Sequence, residues 1–95
     1  MAKYKLFFTE TFYKCLKVIP ARDTKRILSR LKGLADDPRP AGSQKLSGQP
    51  DRYRIRQGNY RIIYSIEDAQ LVVVVVKVGH RGQIYDRQFR ILLSE

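Results

Sequence analysis

The sequence predicts an α+β domain with the element order strand, helix, helix, strand, strand, strand and a short final helix. Three features predict it: two amphipathic segments in the first 37 residues, an arginine-rich hairpin pattern, and a valine run near the end. Such a chain forms an antiparallel sheet with an N-terminal helical hairpin packed on it. At 95 residues and 43% hydrophobic composition, we expect one domain, residues 1–95, with a modest core.

The first half of the chain carries the predicted first strand, both helices and a loop. Residues 3–8 alternate and then become apolar, which is typical of a strand entering a core. Thr9 suits the N-cap of a first helix, and Asp23 that of a second. Both segments repeat apolar residues at three- and four-residue spacing. Residues 39–50 are rich in Pro, Gly, Ser and Gln and are predicted to form a loop.

Gly58-Asn59 predicts a two-residue hairpin turn, because both residues tolerate a positive φ. If these two residues form the loop, Gln57 pairs with Tyr60, and strand alternation assigns every other side chain to a face. One face is then tyrosine- and isoleucine-rich. The other carries four arginines, namely Arg52, Arg54, Arg56 and Arg61.

This register places Arg56 directly opposite Arg61, although like charges in opposed positions destabilise a strand pair. Residues 39–61 hold six basic residues against Asp51 alone. Planar guanidinium groups bind phosphate through paired hydrogen bonds. We interpret the cluster as an anion site, and the alternative is a polar sheet face exposed to water.

Residues 71–78 are almost entirely β-branched, which predicts a central strand buried on both faces. Gly79-His80-Arg81 follows, and then Ile84 and Tyr85. Residues 87–93 are predicted to form a short final helix. Glu67 and Asp68, adjacent in the turn before the valine run, are more typical of a solvated turn than of a catalytic acid pair.

The charge balance predicts a polyanionic partner. Nineteen Lys and Arg against nine Asp and Glu give a net charge of +10 and a pI near 10.1. Nucleic acid is the first candidate, and an anionic membrane or an acidic protein the second. A single cysteine, Cys15, excludes an internal disulfide, and with His80 as the one histidine it also excludes a cysteine-based metal site. We expect no cofactor. The chain shows neither a signal peptide nor a spanning segment, so we expect a cytoplasmic protein.

Several motifs resemble the RelE/ParE superfamily, the toxins of type II toxin–antitoxin modules. They are Tyr-Arg-Ile-Arg at residues 53–56, Tyr-Arg-Ile-Ile-Tyr at residues 60–64, the valine run, Gly-His-Arg at residues 79–81 and Tyr85. The resemblance covers the whole chain and implies the RelE-like microbial RNase fold. It also implies a toxin that cuts mRNA in the ribosomal A site by attack of a 2′-hydroxyl on the adjacent phosphate.

Carried onto this sequence, the resemblance implies a set of working residues: Arg54, Arg56, Arg61, Arg81 and Tyr85. RelE-like enzymes often have lysines at the two second-strand positions, whereas this chain has arginines at both. An arginine is effectively always protonated, so neither can act as a general base. Tyr85 is the first candidate for that role, because nearby guanidinium groups favour its phenolate. His80 is the second candidate, as a base or as the leaving-group acid.

Three further basic residues are candidate RNA contacts: Lys45, Arg52 and Lys77. The resemblance implies an acidic RelB-like antitoxin that forms a hetero-oligomer with the toxin, and the ribosome and mRNA as targets, with no membrane and no metal. Two alternatives stay open. One is a ParE-like inhibitor of DNA gyrase without nuclease activity, since the same fold serves both. The other is an inert relative that only binds its antitoxin.

Overall fold

The computed structural model describes residues 3–48 and 51–80. Its strands and helices are β1 (Lys5–Phe8), α1 (Glu10–Leu16), α2 (Ala21–Lys32), β2 (Gln44–Lys45), β3 (Arg52–Gln57), β4 (Tyr60–Glu67) and β5 (Val72–His80). Short 3₁₀ turns follow α2 and β4. The predicted α+β class and order are confirmed over these residues. The predicted final helix, residues 87–93, lies outside them.

The five strands form one mixed sheet in the order β1-β5-β4-β3-β2. The valine-rich β5 lies between β1 and β4, as an interior strand. β1 pairs with β5 in parallel, so the sheet is not wholly antiparallel as predicted. The sequence of a four-residue strand does not indicate whether it runs parallel or antiparallel to its neighbour in the sheet. β2 was not predicted, because two residues are too few for alternation to be visible.

Both helices cover one face of the sheet, and the hydrophobic core lies between the helices and that face. Phe12 of α1 and Ile27 and Leu31 of α2 are fully buried in one cluster with residues of β3, β4 and β5. Thr9 caps α1 as predicted, because its side-chain oxygen accepts a 3.0 Å hydrogen bond from the backbone N–H of Phe12. The cap of α2 is Pro20 and not Asp23, since the fixed φ of proline suits a helix entry.

The β3–β4 register is the predicted one. Gln57 pairs with Tyr60, Ile55 with Ile62, and Arg56 with Arg61. Gly58 has φ +59°, and Asn59 is not in the left-handed region. Only the first loop residue therefore needs the freedom of glycine, which is typical of a type II′ turn.

One extra residue, Val76, interrupts the pairing of β4 with β5. Ile63 pairs with Lys77, whereas the next residue, Tyr64, pairs with Val75. A β-bulge of this kind shifts the alternation of every later residue on its strand. The prediction that β5 is buried on both faces is wrong in part. Val73, Val75 and Val78 are buried among the core residues, but the valines between them on the second face are only half-buried.

Candidate nucleic-acid interface

The face of the sheet turned away from the helices is the arginine face. It carries Arg52, Arg54, Arg56 and Arg61. Residues paired across strands project on the same side, so the pairing groups them in rows. Arg56, Arg61 and Gly79 form one row, and Arg54, Ile63 and Lys77 form the next. Adjacent strands are about 4.8 Å apart, so the guanidinium groups converge on a small area.

The arginines of this face differ in their exposure. Arg56 is exposed, and Arg52, Arg54 and Arg61 are half-buried. Arg54 donates a hydrogen bond to the side-chain oxygen of Gln44 on β2, which holds its guanidinium group against the sheet edge. Within residues 3–48 and 51–80, Nη1 of Arg52 is buried without a hydrogen-bond partner. A buried donor of this kind suits a bound anion, because an unsatisfied donor is costly.

Lys77 also projects onto the arginine face, but it is only 2% exposed. Its predicted contact to RNA stays a prediction, for a side chain that is buried in the free protein. Because of the bulge at Val76, Lys77 pairs with Ile63 and projects on the same side of the sheet as Ile63. A long run of valines contains no signal for a bulge, so the sequence could not indicate this.

The structure separates two other predicted site residues from the arginines. Lys45 pairs with Tyr53 and therefore projects from the helix side. His80 pairs with Tyr60 and lies edge-on to its ring, with 5.9 Å between the ring centroids. The Tyr60 hydroxyl donates a 3.0 Å hydrogen bond to Asp23, and burial raises the pKa of Tyr60, with that bond as a second cause. His80 lines two adjoining cavities here, of about 210 and 340 Å³. Neither residue joins the arginine face.

Arg39, which the sequence groups with the basic cluster, belongs to a structural contact. Its guanidinium group donates two hydrogen bonds to the Asp68 carboxylate, of 3.2 and 2.7 Å, and a third to the Tyr53 hydroxyl. Tyr4 donates a further bond to Asp68. The bond from Arg39 is the main reason that the pKa of Asp68 falls to about 2. This arrangement links the start of the chain to the turn before β5 and leaves Asp68 no acid–base role.

One residue of the arginine face was not singled out from the sequence. Phe7 of β1 pairs with Val74, so it projects on the same side as Arg52 and Ser65, and it is 52% exposed. The alternation of residues 3–8 indicates that Phe7 and Leu6 lie on opposite faces of β1. The sequence does not show which of these two faces meets the helices. An exposed aromatic ring on the face that carries the arginines offers a base a surface on which to stack, although two strands separate Phe7 from Arg52.

The described part of the site is therefore a set of guanidinium groups, which can bind and neutralise a phosphate. Two predicted members, Arg81 and Tyr85, lie outside the described residues. No group of three or more potential metal ligands occurs within residues 3–48 and 51–80. Neither helix in that part of the chain is long and apolar enough to cross a membrane.

Comparison with known proteins gives a consistent result. The family model for the ParE toxin of type II toxin–antitoxin systems matches residues 6–85. The mRNA interferase toxin RelE of Escherichia coli is 30% identical over 94 residues, covering 95% of this chain and 98% of that protein. Toxin RelG of Mycobacterium tuberculosis is 31% identical over 85 residues, covering 88% and 98%.

The fold comparison agrees with the sequence comparison. The structure superposes on the archaeal RelE–RelB complex from Pyrococcus horikoshii with a TM-score of 0.75 at 30% identity. The match covers 85% of this chain and 98% of that one.

Proposed function

Because this chain belongs to the RelE/ParE superfamily of type II toxin–antitoxin toxins, we propose that it is a ribosome-dependent endoribonuclease that cleaves mRNA in the A site and so inhibits translation. The observation that carries the proposal is the arginine face, with Arg56 opposed to Arg61 and Arg54 in the next row. Folding alone does not favour like charges in opposed positions. A bound phosphate between them removes the repulsion.

The reaction proposed is an internal phosphoryl transfer. The 2′-oxygen attacks the adjacent phosphorus and forms a new P–O bond, while the bond from phosphorus to the 5′-oxygen of the next nucleotide breaks. The products are a 2′,3′-cyclic phosphate and a 5′-hydroxyl end. A base takes the proton of the 2′-hydroxyl, and an acid protonates the leaving oxygen.

The arginines serve this reaction through charge. The phosphate gains negative charge in the transition state, and fixed guanidinium groups stabilise that charge without reorganisation. Arg54, Arg56 and Arg61 are assigned to this task, and the family resemblance adds Arg81 to them. These groups supply the positive charge that a metal ion supplies in other nucleases, so we propose a metal-independent reaction. Proton transfer is assigned to Tyr85, and His80 has no step because it lies on the other side of the sheet.

The regulatory partner proposed is an acidic RelB-like antitoxin acting in the cytoplasm. The solved relative from Pyrococcus horikoshii is a RelE–RelB complex, and a net charge of +10 favours an acidic polypeptide. The antitoxin would inhibit by covering the arginine face, which is also where mRNA would bind. The single domain spanning residues 1–95 would then present one surface to two polyanions in turn.

The proposal is tested by induced expression in a bacterial host, followed by mapping of mRNA 5′ ends across translated genes. We expect growth arrest and new 5′ ends within codons of translated regions. The double variant Arg54→Gln with Arg61→Gln should abolish both. A DNA supercoiling assay with gyrase addresses the ParE-like alternative. Growth arrest without new 5′ ends, together with inhibited supercoiling, would replace the nuclease proposal, and the absence of arrest would indicate an inert relative.

A further inference from the structure

Arg52 is a residue of the arginine face that the proposed reaction does not use. It is half-buried, and no carboxylate of the described residues forms an ion pair with it. Its Nη1 atom is buried without a hydrogen-bond partner in the same part of the chain. An arginine whose donors are not all satisfied within its own fold is suited to an anionic ligand. The position of Arg52 in the sheet indicates which part of a ligand it would hold.

The arginines of β3 are spaced like the phosphates of a single strand of RNA. Arg52, Arg54 and Arg56 occupy alternate positions of the strand and project on the same side. Alternate residues of a strand are about 6.7 Å apart, so the three side chains leave the sheet along a line about 13 Å long. This interval is close to the separation of successive phosphates in an extended single strand. The strand therefore offers one arginine to each of three consecutive phosphates.

The row that contains Arg52 ends on an aromatic ring. It runs from Arg52 on β3 through Ser65 and Val74 to Phe7 on β1. Its two ends are three strand spacings apart, about 14 Å, and the two residues between them have small side chains. Phe7 is 52% exposed. A nucleotide with its phosphate at Arg52 can therefore extend its base across the row to the Phe7 ring.

The series of basic rows ends here. The next row on this face consists of Glu67, Val72 and Lys5. Its two charged residues are exposed and have opposite signs, so the row adds no net attraction for a further phosphate. The row of Arg52 is accordingly the last one in this direction that favours RNA.

We propose that the row from Arg52 to Phe7 binds a nucleotide that flanks the cleaved phosphate, with Arg52 at its phosphate and Phe7 under its base. Arg56 and Arg61, opposed in one row, hold the cleaved phosphate, and Arg54 lies between the two positions. The choice of RNA rests on the proposed function. The inference deepens that function, because it sets the length of single strand that the face holds and adds a contact to a base.

The experiment is an NMR titration of the ¹⁵N-labelled protein with 2′-O-methyl oligonucleotides of two, three and four nucleotides, which contain one, two and three phosphates. These probes lack the attacking hydroxyl, so binding is measured whether or not the protein cleaves RNA. Arg52→Gln removes the charge, and Arg52→Lys retains it. Lys25→Gln is the matched control, because it removes an exposed charge from α2, on the other side of the sheet.

A second pair of variants tests the aromatic ring. Phe7→Leu removes the ring, and Tyr13→Leu makes the equivalent change at a residue of α1 that is 54% exposed. Tetranucleotides that lack the base at the 5′ end or at the 3′ end show whether the ring acts on a base. The spectrum of each variant without RNA verifies that it is folded.

We expect the wild type to bind the tetranucleotide on the order of tenfold more tightly than the trinucleotide, with shifts of the Arg52 and Phe7 amide signals. Arg52→Gln should lose this gain, whereas Arg52→Lys and Lys25→Gln should retain it. Phe7→Leu should weaken tetranucleotide binding about fivefold and have no effect on one of the two abasic probes. Tyr13→Leu should bind like the wild type.

The proposal is overturned if Arg52→Gln retains the gain, if Lys25→Gln loses as much, or if Phe7→Leu weakens binding of both abasic probes as much as that of the intact one. Amide shifts at Arg52 and Phe7 with an acidic peptide but not with RNA would overturn it in favour of a protein contact. Binding as expected without cleavage on ribosomes would overturn the proposed function and leave this site intact. Cleavage on ribosomes without the tetranucleotide gain would overturn this inference alone.

Discussion

Arg56 and Arg61 face each other across β3 and β4, and this pair is where folding and function conflict at the scale of single residues. Directly opposed like charges destabilise a strand pair, and Arg56 is exposed, so water and salt reduce the repulsion without removing it. Proteins often retain such local conflicts at functional sites. The arginine pair is therefore expected to weaken the free protein and to strengthen its complex with a polyanion.

Replacing Arg56 by threonine should raise the free energy of unfolding by roughly 0.2–1 kcal/mol, because the opposed charge disappears and a good strand former takes its place. Urea unfolding at low salt measures this increase in the free energy of unfolding. The increase should be smaller at high salt, because salt screens the repulsion between Arg56 and Arg61. Lys45→Thr is the matched control for stability, since Lys45 is an exposed strand residue that pairs with Tyr53 and not with a charge. An equal gain in both variants would show that threonine propensity, and not repulsion, is responsible.

At the scale of the elements, Thr9 joins the start of α1 to the bulge in β5. Its side chain accepts from the Phe12 N–H and donates to the Val76 carbonyl oxygen. Replacing it by valine removes both bonds at constant volume and should cost about 1–2 kcal/mol of stability. Thr11→Val, the same change two residues later in α1, should cost less. If Thr9→Val and Thr11→Val unfold at the same denaturant concentration, Thr9 does not have the linking role described here.

The contact between Arg39 and Asp68 is a second link between elements, and its effect should depend on pH. The folded-state pKa of Asp68 is lowered from 3.8 to about 2, first by Arg39 and then by Tyr4. A group with a lowered folded pKa contributes stability above its unfolded pKa and loses it as pH falls through the folded value. The contribution is therefore complete at neutral pH and declines between about pH 4 and pH 2.

Thermal unfolding of Asp68→Asn measures this contribution. The variant should melt below the wild type at pH 6, by a small margin because the pair is exposed, and the difference should narrow from pH 4 to pH 2. Glu67→Gln is the control, because Glu67 is the neighbouring carboxylate and Arg39 pairs with Asp68. A difference that persists unchanged to pH 2 would mean that the asparagine side chain itself disturbs the turn.

At the scale of the whole molecule, the features that could be predicted from the sequence are those that depend on residues close together in the chain. The Gly58-Asn59 turn and the alternation beside it were sufficient for the β3–β4 register and for the convergence of the arginines. The sequence did not predict the parallel β1–β5 pair or the bulge at Val76, because both depend on contacts between distant segments. The bulge determines two placements that the sequence did not indicate: with it, Lys77 projects onto the arginine face and His80 onto the opposite face.

The most direct test uses purified ribosomes that are programmed with an mRNA and have an empty A site. The wild-type protein should cut this mRNA within the A-site codon and leave a 2′,3′-cyclic phosphate and a 5′-hydroxyl, and no cut should appear without ribosomes. Arg54→Gln with Arg61→Gln should reduce the single-turnover rate by at least about a hundredfold, as the loss of charge stabilisation in a transition state predicts. Intact mRNA after incubation with the folded wild-type protein, or equal cleavage by the double variant, would contradict the account.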